Sequence, residues 1–475
     1  MNDMKRLTPL VLALALTGCV NLAPKYERPA APVAGAFPTV EGTVSSGNTV
    51  ANEAPANIAW QRFFTDPRLQ QLISLALANN RDLRVSVLNI EQARAAYQIQ
   101  RAAQLPTVSA VANENRVTTG GKDNAVTTTY QAGFAMSAFE IDLFGRVRNL
   151  SQAALSQFLA TEEARKTVQI SLIAQVANTY LTFLADEELL SLTQQTLRTR
   201  EESLRLTRLR FDNGVSSKLD LQQAVSLVEQ ARTTQAQAQR QRAQDLNLLT
   251  LLVGQPIPDN LPAGATLATT NLPDLPAGLP SDLLVARPDI RAAEQQLIAA
   301  NANIGAARAN YFPRISLTAT AGSVSNELSG LFKSGTYGWT FSPQALLPIF
   351  DYGARRAGVE SAKAGRDIAV AQYERSIQTA FREVADALAG QATYSEQLRA
   401  QQAVAAAETD RFNLSDLRYR SGTASYLDLL DAQRSLFTAQ QQAIQANLLR
   451  LQNQVTLYRV LGGGWSEPGP ATAAR

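Results

Sequence analysis

A chain of 475 residues with a net charge of +3 carries no broad basic field of the kind nucleic acid needs, so no nucleic-acid partner is expected. It has no histidine and a single cysteine, which excludes imidazole metal sites, Ser-His and Cys-His nucleophile pairs, and any internal disulfide. No enzyme activity, no cofactor and no metal site is expected.

In chain order, Lys5 and Arg6 precede an apolar run, Leu7 to Leu16, that is too short for a bilayer-spanning helix of about 20 residues and reads as a signal peptide over 1–18. The run ends in Leu16-Thr17-Gly18-Cys19, which resembles the lipobox of bacterial lipoproteins. That resemblance implies lipidation of Cys19, and Val20 in place of an aspartate implies sorting to the outer membrane. Residues 19–58, rich in Pro, Ala, Gly, Ser and Thr, read as a tether from the lipid to the body. No later run of 18 apolar residues follows, so entry into the bilayer requires strands.

From about Trp60 the chain nearly repeats itself. Arg210-Phe211-Asp212-Asn213-Gly214 returns as Arg418-Tyr419-Arg420-Ser421-Gly422, and Leu219-Asp220-Leu221 as Leu427-Asp428-Leu429. Two copies, 59–254 and 281–462, are expected on either side of a Pro-rich linker at 255–280, with a tail at 463–475. Neither Pro nor Gly interrupts Arg146 to Asn213, and no Pro lies between Pro348 and Pro468. Each copy therefore has room for a helix of about 65 residues, roughly 100 Å long, which outgrows a globular domain. After Gly214 and Gly422 the chain reverses into a second helix whose stripes, Leu221, Ala224, Val228, Ala231 and Leu429, Ala432, Leu436, Ala439, suit close antiparallel packing.

Between the helices, apolar and polar residues alternate with period two. Strands are expected at about 106–117 and 128–139 in the first copy, where Tyr130, Ala132, Phe134, Met136 and Ala138 share a face. Two more are expected at about 314–324 and 337–347 in the second. Four strands are too few to close a barrel, and open edges cannot face lipid, so the chain must associate with copies of itself. Three copies would give twelve strands and a lumen.

Glu140-Ile141-Asp142-Leu143-Phe144-Gly145-Arg146, Leu279-Pro280-Ser281-Asp282-Leu283-Leu284, Arg287-Pro288-Asp289-Ile290 and Tyr426-Leu427-Asp428-Leu429-Leu430-Asp431-Ala432-Gln433-Arg434 resemble the TolC family of outer-membrane factors, in its OprM-like lipoprotein branch. The resemblance covers nearly the whole chain. It implies a mixed α and transmembrane β fold: a trimeric 12-stranded β-barrel continued by a long α-helical barrel of coiled-coil hairpins. It also implies the exit duct of a tripartite multidrug efflux pump, partnered by a periplasmic adaptor (membrane fusion protein) and an inner-membrane RND-type transporter. The adaptor-docking tips would be the two turns, Asn213, Gly214, Val215, Ser216 and Ser421, Gly422, Thr423, Ala424. A duct for type I protein secretion or metal efflux keeps the same architecture, and a periplasmic scaffold lipoprotein without a pore is the alternative of another class.

A duct through the outer membrane must close when idle, and the hairpin tips are the natural place. Ser217 to Asp220 and Ser425 to Asp428 both have capping-box spacing. Asp431, however, answers to Gln223 in the first copy, Arg434 to Ser226 and Tyr419 to Phe211, so the added polar groups lie in the second copy alone. That asymmetry places the second hairpin on the bore, with Asp428 and Asp431 crowding an aperture. The resemblance adds Arg418, Tyr419, Leu427 and Arg434 to the periplasmic gate.

Overall fold

A computed structural model describes residues 21–38, 58–118, 126–275 and 287–465. Cys19 and the Leu279 to Leu284 motif lie outside them. In chain order the elements are α1 (Trp60–Phe63), α2 (Pro67–Asn79), α3 (Arg81–Ala102), β1 (Val108–Thr118), β2 (Val126–Ile141), α4 (Arg146–Asp212), α5 (Lys218–Val253), α6 (Pro288–Ala309), β3 (Arg314–Ser325), β4 (Tyr337–Leu346), α7 (Ala354–Arg420) and α8 (Tyr426–Val460). The two longest helices, α4 and α7, have 67 residues each. Of the described helices, α4 is long and apolar enough to cross a membrane, but 61% of its most apolar window is buried within the protein, as in a core helix.

The chain divides into two compact units. The first comprises Met1–Ala31, Leu88–Glu162 and Arg291–Arg375; the second, Pro32–Val87, Glu163–Ile290 and Ser376–Arg475.

All four strands belong to the first unit and form one antiparallel sheet in the order β1-β2-β3-β4. Residues paired across strands share a face. Val108, Met136, Ala319 and Phe341 make one row, and Ala110, Phe134, Ala321 and Trp339 the next, so this face is apolar and aromatic. On the opposite face lie Ser109, Ala135, Thr320 and Thr340, followed by Val111, Gly133, Gly322 and Gly338. Close strand approach requires the central glycines, because a Cβ on Gly133 would stand 2.3 Å from the Ala321 carbonyl oxygen.

The register differs from simple alternation at one place. A bulge between Met136 and Phe139 puts Ala138 in a left-handed conformation, φ 48°, with its N–H donating to Thr318 Oγ1 at 3.1 Å. The extra residue resets the parity, so Phe139 and Ile141 pair with Leu317 and Ile315 on the apolar face, and Ala138 leaves the place alternation assigns it.

Carboxylates fix where the sheet passes into the long helices. Glu140 receives Arg146 Nε at 2.8 Å and Nη2 at 2.6 Å, and pairs with Arg314 Nε at 2.7 Å. Asp142 accepts the Arg148 N–H in the first turn of α4, as Asp351 accepts the Arg355 N–H at the start of α7. In this unit a strap, Leu22 to Arg28, also runs antiparallel along α6. Arg308 donates to Leu22 O, Asn301 to Pro24 O, and Arg28 clasps Glu294 at 2.7 and 2.9 Å.

The second unit holds α4 from Glu163 with α5, and α7 from Ser376 with α8, as two hairpins. Ala224, Leu227, Val228 and Ala231 are buried along α5, as are Leu429, Leu430, Ala432 and Ala439 along α8. Leu221 and Leu436 are only half-buried. Arg287 is buried here, donating to Asp289 at 2.6 and 3.0 Å, to Glu383 at 2.9 Å and to the Val460 carbonyl at 3.2 Å. The Arg287-Pro288-Asp289-Ile290 motif is thus a structural clamp.

Candidate channel gate and docking tips

The two hairpin turns are built alike. Val215 N–H donates to Arg210 O at 2.8 Å and Gly214 N–H to Phe211 O at 2.9 Å; Thr423 N–H donates to Arg418 O at 2.9 Å and Gly422 N–H to Tyr419 O at 3.1 Å. Both glycines are left-handed, φ 74° and 79°, as such a helix end requires. Capping boxes restart the chain as α5 and α8. Ser217 N–H donates to Asp220 at 3.1 Å and Ser425 N–H to Asp428 at 3.2 Å, and each aspartate N–H donates back to its serine hydroxyl. Burial alone would raise the Asp220 carboxyl, but the bonds from Ser217 and Ser216 hold it below the usual carboxylate range.

Asn213, Gly214, Val215, Ser421, Gly422 and Thr423 are exposed, with Ser216 and Ala424 partly so. Val215 is 74% exposed, and a Cβ on Gly214 or Gly422 would meet nothing within 4 Å. The tips therefore present small residues and one bare apolar side chain.

Behind the turns, Tyr419, Tyr426, Leu429, Leu430, Ala224 and Leu227 form a core shared by the two hairpins. Arg210 binds it together: its guanidinium lies 4.4 Å from the Tyr419 ring centre and donates to the Tyr419 carbonyl at 3.2 Å.

The polar groups singled out by the asymmetry of the copies do not all meet. Arg418, Leu427, Asp428 and Asp431 line an open groove of about 920 Å³ on the second hairpin, with Asp410, Arg411 and Leu414. Tyr419 is not among them; its ring is buried in the tip core, and its hydroxyl forms no hydrogen bond among the described residues. Arg434 is exposed and forms no ion pair among the described residues. Instead Asp431 pairs with Arg411, which also reaches Glu408 at 3.1 Å and Ser435 Oγ at 3.3 Å. Arg411 answers to Ser203 under the 208-residue shift, so the comparison that picked out Asp431 and Arg434 marks it equally; it was overlooked because it lies 20 residues from Asp431, on the other helix of the hairpin.

Comparison with known proteins fits this architecture. The outer membrane efflux protein family matches residues 72–255 and 279–463. The chain is 49% identical to the probable efflux pump outer membrane protein TtgC of Pseudomonas putida, over 96% of this chain and 95% of that protein. A solved membrane protein from Pseudomonas aeruginosa superimposes with a TM-score of 0.86 at 43% identity, covering 96% of this chain and all of that one. The open state of the Neisseria gonorrhoeae MtrE outer membrane channel gives 0.85 at 41% identity, covering 94% and 98%. With its sided four-stranded sheet, paired long hairpins and internal repeat, the chain belongs to the outer membrane efflux protein family and is an outer-membrane efflux channel.

Proposed function

We propose that three copies form the exit duct of a tripartite pump, conducting small molecules passively outward from a periplasmic adaptor and an inner-membrane RND-type transporter. The outer edges of β1 and β4, unpaired among the described residues, support the homotrimer, since an open sheet cannot stand in lipid and twelve strands leave a lumen. Its aromatic face suits the bilayer and its Thr and Gly face the bore. Cys19 carries the lipid, and the turns Asn213 to Ser216 and Ser421 to Ala424 receive the adaptor. The names of relatives, which include antibiotic and solvent efflux components, support small organic cargo.

The gate is the groove on the second hairpin, and the Arg411–Asp431 pair carries that reading. It joins α7 to α8 through exposed groups that can exchange partners at little cost when the tips spread. Leu427, Asp428 and Arg418 narrow the same aperture, with Tyr419 as the packed pivot and Arg434 as a further charge. Planar-bilayer conductance of the mature protein, with its mass in detergent, tests this. A trimer whose low conductance rises several-fold in Asp431→Ala and equally in Arg411→Ala is expected, with no further rise in the double variant. A trimer indifferent to both substitutions keeps the duct and moves the gate; a monomer without conductance favours a scaffold without a pore.

A further inference from the structure

One buried cation in the second unit has no counter-ion among the described residues. Arg200, on α4, is 6% exposed. Its Nη1 donates to a neutral acceptor, the Leu227 carbonyl, at 3.2 Å, and the guanidinium lies 5.2 Å from the Phe437 ring centre. Its Nε is buried with no partner among the described residues. Glu201, the carboxylate next in the chain, is engaged by Arg232 at 3.0 Å. Burial, then the nearby positive charge of Arg434, lowers the Arg200 pKa. A guanidinium stays charged under such conditions, so the deficit has to be met by something that binds.

The space for it is present. Arg200 lines a cavity of about 100 Å³ between α4, α7 and α8, together with Gln195, Thr196, Gln433, Phe437 and Gln440. Gln433 is itself 6% exposed, and its Oε1 is buried without a partner. A side-chain amide can turn its NH₂ to the same place, and hydroxyl and amide donors around a guanidinium are what an anion requires. The volume has room for a small hydrated ion.

We propose that this cavity is a binding site for a small monovalent anion, chloride or a short carboxylate, and that the bound anion ties α4 of the first hairpin to α8 of the second. The idea is independent of the gate assignment, because none of the groove residues lines the cavity.

Crystals of the full trimer grown in bromide, measured at the bromine absorption edge, test it directly. An anomalous peak in hydrogen-bonding reach of the Arg200 guanidinium is expected in the wild type, and none in Arg200→Met. In solution, replacing gluconate with chloride at constant ionic strength should raise the unfolding temperature of the wild type along a saturating curve. Arg200→Met should lose that rise, and Thr196→Val, which leaves the charge in place, should need several-fold more chloride. The proposal is overturned by an empty site in bromide, by an acidic side chain of a neighbouring subunit seated on Arg200, or by an unfolding temperature that ignores chloride. Should Arg200→Met fail to fold, the bromide map and the Thr196→Val titration decide alone.

Discussion

Asp186 on α4 and Asp245 on α5 act on one another in the second unit, each with a carboxylate oxygen buried and without another partner among the described residues, and Asp245 is almost wholly enclosed. Burial first, then the bond to Asp245 and its charge, push the Asp186 carboxyl from 3.8 up to about 7. The folded state therefore holds a proton that the unfolded chain releases near pH 4. Between about pH 4 and 7 the folded state binds more protons, so unfolding free energy falls as pH rises and levels off above 7. The unfolding temperature should be lower at pH 8 than at pH 5, and Asp186→Asn should flatten most of that slope. Some slope should persist from Glu188, which burial also raises. None of this is legible in a single chain of letters, because Asp186 and Asp245 lie 59 positions apart and only the antiparallel packing of α4 on α5 brings them together. The same holds for Arg411 and Asp431. Asp220 and Asp428 are the reverse case: their partners lie three residues away, and the capping boxes can be read from spacing alone.

Among elements, the long helices declare themselves through the absence of Pro and Gly, and the strands through period two. The bulge at Ala138 does not, since one extra residue is visible only against a partner strand. The apolar stripe along α5 is legible in outline, but Leu227 is buried where Leu221 is only half-buried, in a tip core against which Leu204 and Leu206 of α4 also pack. Glycines at helix ends look alike in sequence and differ in surroundings. Gly214 and Gly254 have φ near 74° and 78°, but a Cβ at 214 meets open space while one at 254 would stand 2.4 Å from the Asn79 carbonyl oxygen. Thermal unfolding in detergent should give a loss of about 1 kcal/mol for Gly214→Ala, the left-handed penalty alone, and at least about twice that for Gly254→Ala, where backbone must also shift.

At the scale of the molecule, the sheet has two faces with opposite solvents, and neighbouring residues of one strand should respond oppositely to charge. Trp339 lies in the aromatic row and Thr340 in the Thr and Gly row, its hydroxyl 2.7 Å from that of Thr320. Urea titration of folding into lipid vesicles should show Trp339→Arg destabilised by about 2 kcal/mol or more and Thr340→Arg within about 1 kcal/mol of the wild type. Fold class, family and channel function are legible from repeat, periodicity and motifs together, because each is set by patterns spread over the whole chain. Which charged groups touch at the tip is not, because that depends on how two long helices are rotated about their axes.

The strap along α6 bears on how such an assembly comes together. Its contacts run in reverse, Leu22 at Arg308 and Arg28 at Glu294, so Leu22 stands at the end of α6 that leads into Arg314, the first residue of β3. Lipidated at Cys19, as proposed, each newly arrived copy would be moored to the leaflet beside the foot of its own unclosed sheet. Diffusion on a surface then replaces diffusion through the periplasm, and the encounter of three copies becomes a two-dimensional search at raised effective concentration.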